Sequence, residues 1–153
     1  MTTPEARLSE LGLAVPEVAK PVAAYVPAVR SGSHVYTSGQ LPLRDGELVT
    51  TGKVGGAVSP EEAAECAELC ALNALAAVKS VVGDLSRVVR VVKVVAFVSS
   101  MPDFTGQPGV ANGASELIGK VFDDAGQHAR SAVGVSVLPL DAPVEVEMVV
   151  EVS

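Results

Sequence analysis

HARSAVGVSVLPLDAPVEVEMVVEV, residues 128–152, is the stretch on which the fold of this chain turns. A lone Arg130 opens an apolar run, Ser131 to Leu138, and Leu138-Pro139-Leu140-Asp141-Ala142-Pro143 leads into a second run, Val144 to Val152. In the second run Val144, Val146, Met148, Val150 and Val152 alternate with Glu145, Glu147, Val149 and Glu151. One face of that strand is therefore core and the other acidic. Two strand patterns joined by a short Pro-bounded loop predict an antiparallel hairpin. In such a hairpin Glu145 pairs near Val137, and Arg130 lies about seven residues, or roughly 23 Å, away at ~3.3 Å per residue. One small ligand does not bridge that span, so a site using both side chains must draw them from two chains.

Working outward, Val88 to Val98 is apolar at both parities, as a central strand buried on two faces would be. Ser59-Pro60-Glu61-Glu62 carries an N-cap serine, a proline at the first helical position and a glutamate closing a capping box. A long helix runs from there to about Val82 and stops at Gly83, with Cys66, Cys70, Asn73, Ala77 and Val81 on a face of small residues. Pro102 and Pro108 precede a second helix in which Val110, Ala114, Leu117, Val121 and Phe122 recur at helical spacing, ended by Gly126. Upstream, Tyr25 to Val29 and His34 to Ser38 flank Ser31-Gly32-Ser33 as a hairpin, and Asp45-Gly46 punctuates a loop with a third short strand. Thr3-Pro4-Glu5 caps a short helix bearing Leu8 and Leu11, stopped by Gly12 and read as an appendage. This order predicts an α+β fold, a mixed sheet with two helices on one face. The other face, rich in valine, is expected to be buried between identical subunits.

A chain of 153 residues is read as one domain, 1–153, with residues 1–20 an N-terminal extension. A formal charge of −7 disfavours a phosphate-tracking surface, and two Tyr, three Phe and no Trp leave few platforms for stacking bases, so nucleic acid is an unfavourable partner. The longest apolar run is interrupted by Arg90 and Lys93 and is too short to span a bilayer, and the opening Met-Thr-Thr-Pro-Glu-Ala-Arg has no signal-peptide pattern. A cytoplasmic protein without membrane partners is expected. Cys66 and Cys70, four apart on a helix, read as small core residues, and the isolated His34 and His128 offer no metal-ligand spacing. Gly55-Gly56 lacks the glycine spacing and lysine of a phosphate-cradling loop. Ser38 in Thr37-Ser38-Gly39-Gln40 lacks the setting of a nucleophile, so this stretch is read as a strand end with a bulge at Gly39.

Arg130 and Glu145 carry the chemistry, against the alternative that both are solvated strand charges. A planar guanidinium grips a small carboxylate through two parallel hydrogen bonds. Glu145 is read as the group that holds or deprotonates a water.

His128-Ala129-Arg130-Ser131-Ala132-Val133, then Leu138-Pro139 and Val144-Glu145-Val146-Glu147, resemble the C-terminal signature of the Rid family, also called the YjgF family. Tyr25-Val26, Tyr36-Thr37-Ser38-Gly39-Gln40-Leu41-Pro42, the long helix from Ser59, Ala96-Phe97-Val98 and Asn112 follow in family order over about residues 20 to 152. The resemblance implies a chorismate-mutase-like fold, a homotrimer, ligand clefts between subunits and no cofactor. It implies that Arg130 grips a substrate carboxylate, that Glu145 handles water, and that Tyr25, Ser38, Gly39 and Asn112 line the cleft. Ala132 stands where many members have cysteine and serves through its backbone N–H. Ala23-Ala24 in place of Gly-Pro, the N-terminal helix and a longer Met101 to Val110 segment mark a divergent subgroup. The activity implied is hydrolysis of reactive 2-imino or enamine acids to 2-oxo acids and ammonia. The alternatives are a trimer that binds small carboxylates without turnover, and the ribonuclease or translation-inhibitor activity attributed to some relatives.

Overall fold

Element ends form where the local chemistry supplies them. In the computed structural model, which describes residues 2–21 and 24–153, the Thr3 hydroxyl accepts from the Ala6 N–H at 3.1 Å and starts α1 (Pro4–Glu10). β1 (Ala28–Ser31) and β2 (His34–Thr37) form a hairpin in which Gly32, at φ +60°, takes the first central place of a II′-like turn. β3 (Leu43–Arg44) and β4 (Glu47–Leu48) form a smaller hairpin whose turn residues, Asp45 and Gly46, both have positive φ. α2 (Pro60–Val82) opens in the capping box: Ser59 Oγ accepts from the Glu62 N–H at 3.1 Å, while the Glu62 carboxylate accepts from the Ser59 N–H. It ends at Gly83, φ +86°. β5 (Val88–Ser99), α3 (Gln107–Phe122), β6 (Ala129–Val135) and β7 (Val144–Val152) complete the chain.

The main sheet has the order β1-β2-β7-β5-β6 and is antiparallel except for the β5–β6 pair. Parallel neighbours require a crossover, and α3 is that crossover. α2 and α3 pack on each other and on one face of the sheet, over Val91, Val94, Ala96 and Val98 of β5 and the even-numbered residues of β7 from Val144 to Val152. The other face carries Tyr36, Lys93, Val95, Phe97, Val133, Glu145, Glu147 and Val149, with no layer over it among the described residues. This is the α+β arrangement expected from the sequence, a mixed sheet with two helices on one face.

Several expectations are corrected. The runs on either side of Pro139 do not form a hairpin: β5 lies between β6 and β7 and pairs with both. The apolar residues of β5 at both parities reflect two register shifts against β7, between Val88 and Arg90 and between Val91 and Lys93, which change the residues facing the helices. The middle place in the sheet belongs to β7. The N-terminal helix is no appendage, because Leu8 is fully buried, worth about 1.5–3 kcal/mol, Arg7 pairs with Asp123 at 2.7 Å, and Glu5 accepts from the Leu85 N–H at 2.8 Å. Val81 is exposed while Val82 is buried, and α3 ends at Phe122, with a 3-10 turn carrying the chain to Gly126. Strand structure begins at Ala28, leaving Tyr25 in a bend. Met1 and Ala23, on which the leader reading and the Ala23-Ala24 departure partly rest, lie outside the described residues.

Candidate functional site

Arg130 stands at the start of the edge strand β6, opposite Val94, on the face covered by α3. The helix holds it. Nη1 donates to Asn112 Oδ1 at 2.8 Å and to Ser115 Oγ at 3.1 Å, and Nη2 donates to the Pro108 carbonyl at 3.3 Å. Asn112 and Ser115 are three apart on one helix and so share a face. A guanidinium has five N–H donors in a fixed fork. Three are engaged by α3, and among the described residues Nε–H and one Nη2–H are left without a partner, the number of donors a carboxylate takes from a guanidinium. Ala132 lies two residues along the same strand and on the same face, opposite Ala96. Arg130, Asn112 and Ala132 are thus brought together. Ser115 and His128 join this cluster and were missed by the sequence reading: His128 Nε2 lies 2.9 Å from Ser115 Oγ, and its Nδ1 lies 2.6 Å from the Gly126 carbonyl. The signal was available in the spacing, Ser115 one turn beyond Asn112 and His128 two residues before Arg130.

Glu145 belongs to a second cluster. β2 and β7 stay in register to Tyr36 opposite Val149, and pairing resumes with Gln40 opposite Val146. Four residues on one strand run against three on the other, the bulge expected at Gly39. Thr37 Oγ1 fills the gap by accepting from the Met148 N–H at 3.0 Å. The Glu145 side chain lies flat on Gly39: a Cβ there would stand 2.7 Å from Glu145 Cδ and overlap its carboxylate oxygen. Ser38 donates through Oγ to the Val26 carbonyl at 2.6 Å and through N–H to the Pro27 carbonyl at 2.8 Å, tying the segment after Tyr25 to the bulge. The serine hydroxyl is a fastener here. Burial raises the Glu145 carboxyl above its ordinary value, and the charge of Glu147 adds to the rise. Below it, Cys70 Sγ meets the Val144 carbonyl at 3.6 Å. Burial pushes the Cys66 thiol up to about 11 and the Cys70 thiol well above its usual value, so neither is a thiolate nucleophile near neutral pH.

The two clusters face opposite ways. Arg130 is level with Val94 of β5 on the helix side, whereas Glu145 is level with Phe97 on the open side. Three residues along β5 and two strand spacings across put their backbones roughly 14 Å apart. The 23 Å expected from a hairpin is replaced by this shorter path, but the sheet itself now stands between the side chains.

A family model described as "YjgF/chorismate mutase-like, putative endoribonuclease" matches residues 5–152. The chain belongs to this family. The Agrobacterium tumefaciens protein Atu1372, of unknown function, is 47% identical with a TM-score of 0.92, the match covering 98% of this chain and 92% of that one. A Shewanella oneidensis structure under the same endoribonuclease description is 33% identical with a TM-score of 0.96, covering 99% and 100%. Escherichia coli TdcF with bound serine is 26% identical with a TM-score of 0.61, covering 90% and 94%. The first two matches span nearly the whole of this YjgF-family chain, so the docked N-terminal segment is shared with those proteins. No helix among the described residues is long and apolar enough to cross a membrane.

Proposed function

We propose that this YjgF-family protein is a cytoplasmic, cofactor-free hydrolase of 2-imino acids, working as a homotrimer whose sites each combine Arg130 of one subunit with Glu145 of a neighbour. The observation that carries the reading is the donor inventory of Arg130: three of five N–H groups are taken by α3, and the remaining two are left for the two oxygens of a ligand carboxylate. The serine bound by TdcF, a small carboxylate, supports a ligand of this class. Asn112 acts by steadying the guanidinium, and Ala132 offers its backbone N–H beside it. On the other half, Tyr25, Ser38 and Gly39 frame Glu145.

The chemistry balances without a metal or a covalent nucleophile. The carboxylate of the protonated imine docks on Arg130, and Glu145 takes a proton from a water that attacks the imine carbon. As the C–O bond forms, the C=N π electrons pass to nitrogen; Glu145 then returns its proton to that amine, the C–N bond breaks as the new hydroxyl becomes the carbonyl, and the hydroxyl proton leaves with ammonia as ammonium while a 2-oxo acid remains. A carboxyl group raised above its ordinary value is a stronger base for that proton. Because the two halves lie on opposite faces of one sheet, a shared site requires a second copy, and the open face with Val95, Phe97 and Val133 supplies apolar area for it.

The test is to generate 2-aminoacrylate or 2-iminobutyrate in situ with an amino acid dehydratase and trap the surviving imine with semicarbazide. Less trapped imine in the presence of the protein is expected. Unchanged trapping, with a bound carboxylate still detectable, selects the non-catalytic binding protein. RNA incubated with the same preparation should remain intact, in keeping with the net charge of −7.

A further inference from the structure

Arg130 is held by a relay as well as by its direct partners. The Gly126 carbonyl can only accept, so His128 Nδ1 carries a proton, and in the neutral ring Nε2 is then an acceptor. Nε2 then takes the Ser115 hydroxyl proton at 2.9 Å, and the same hydroxyl presents a lone pair to Arg130 Nη1 at 3.1 Å. Every proton in the chain Arg130, Ser115, His128, Gly126 has one acceptor, and all point the same way. We propose that His128, which does not touch the guanidinium, is a positioning residue that sets the specificity of this site for carboxylates by locking Ser115 against Arg130. The inference deepens the imine-hydrolase reading and rests on it for its substrate.

The physical competition is local. A serine inside a helix ordinarily turns its hydroxyl back to a carbonyl three or four residues earlier, here Asn112 or Ala111. His128 Nε2 draws the proton outward instead, toward β6 and the end of α3. Remove that acceptor and Ser115 reverts to its own helix, its oxygen leaves Nη1, and one Nη1–H becomes free to compete for the ligand or for water. The fork then loses its single presentation of Nε–H and Nη2–H.

The experiment compares the parent with His128→Ala and His128→Gln, the glutamine placing an amide oxygen near the position of Nε2. Rotation of the Arg130 guanidinium about its Nε–Cζ bond is read by nitrogen-15 NMR, alongside thermal midpoint and the KM and kcat of imine hydrolysis. The relay predicts faster guanidinium rotation in His128→Ala and a KM raised about 3- to 10-fold with kcat within roughly twofold, as for loss of one supporting hydrogen bond. His128→Gln should restore both. Rotation in His128→Ala as slow as in the parent overturns the relay, whatever turnover shows. Faster rotation restored by glutamine, in a protein whose parent neither binds small carboxylates nor hydrolyses imine, supports the relay and overturns the hydrolase reading instead.

Discussion

The Arg130 cluster and the Glu145 cluster are built in opposite ways. Around Arg130, α3 supplies a carbonyl, an amide and a hydroxyl to three guanidinium donors, and His128 fixes the hydroxyl in turn. Around Glu145 the contacts are steric: the carboxylate lies on the bare backbone of Gly39, with burial and Glu147 raising its proton affinity. No hydrogen bond to the Glu145 carboxylate is formed among the described residues. The difference teaches that one half is preorganised within the single chain, as an anchor for a fixed charge should be. The other is a half-buried carboxyl on an open sheet face, and the proposed site needs a second copy to complete its environment.

The largest expected effect strikes the second half. Glu145→Gln keeps size and hydrogen-bonding capacity but cannot accept the proton of water, so imine turnover should fall by about 10²- to 10⁴-fold while a bound 2-oxo acid titrates calorimetrically as in the parent. Equal turnover in parent and variant would move the base to Glu147 or leave only positioning. Arg130→Lys comes next. Exchanging the two-pronged donor for a point charge should cost about 1.5–3 kcal/mol, or roughly 10- to 200-fold in kcat/KM, with the oligomeric mass and thermal midpoint retained. An active lysine variant would mean that charge alone suffices and that the helix-held fork is incidental.

The smallest effect separates the halves by pH. The Glu145 carboxyl is raised in the folded chain, so the fold binds its proton more tightly than the unfolded chain does. Its favourable contribution is full below the ordinary glutamate value and is lost as pH rises through the raised one. Activity moves the other way, appearing as the base form is populated. Chemical denaturation across this window should show a downward slope in stability that Glu145→Gln removes and Arg130→Lys leaves in place. An identical slope in parent and Glu145→Gln would deny the raised carboxyl.

Signals confined to a few residues were legible in the sequence. The Ser59 capping box and the Gly32 and Asp45-Gly46 turns rest on contacts between near neighbours, and each stands where it was expected; the Gly39 bulge also stands where it was expected, although its partner strand is distant in the chain. The pairing of β6 and β7 was not legible. Their alternation and the Pro-bounded loop look the same whether the strands touch or straddle a third, and the choice lies with β5, some forty residues upstream in the chain on the order of a whole crossover unit. The loop itself is unusual in that Leu140 and Asp141, neither a glycine, are both at positive φ. Arg130, Asn112, Gly39 and Glu145 were proposed as site residues on the family resemblance, and the structure sorts them into two groups. Ser115 and His128 escaped because a helical serine and a strand-end histidine acquire meaning only once α3 is laid beside β6.

The central claim is that the two halves meet only across subunits, and mixing variants tests it most directly. Arg130→Ala and Glu145→Gln chains, each inactive alone, are unfolded together, refolded at equal concentration and assayed for imine hydrolysis beside each variant refolded by itself. Hybrid assemblies contain interfaces at which an intact Arg130 from one chain meets an intact Glu145 from the other, so a substantial fraction of parental activity is predicted to return. A co-assembled mixture with no more activity than its separate components would contradict the shared site.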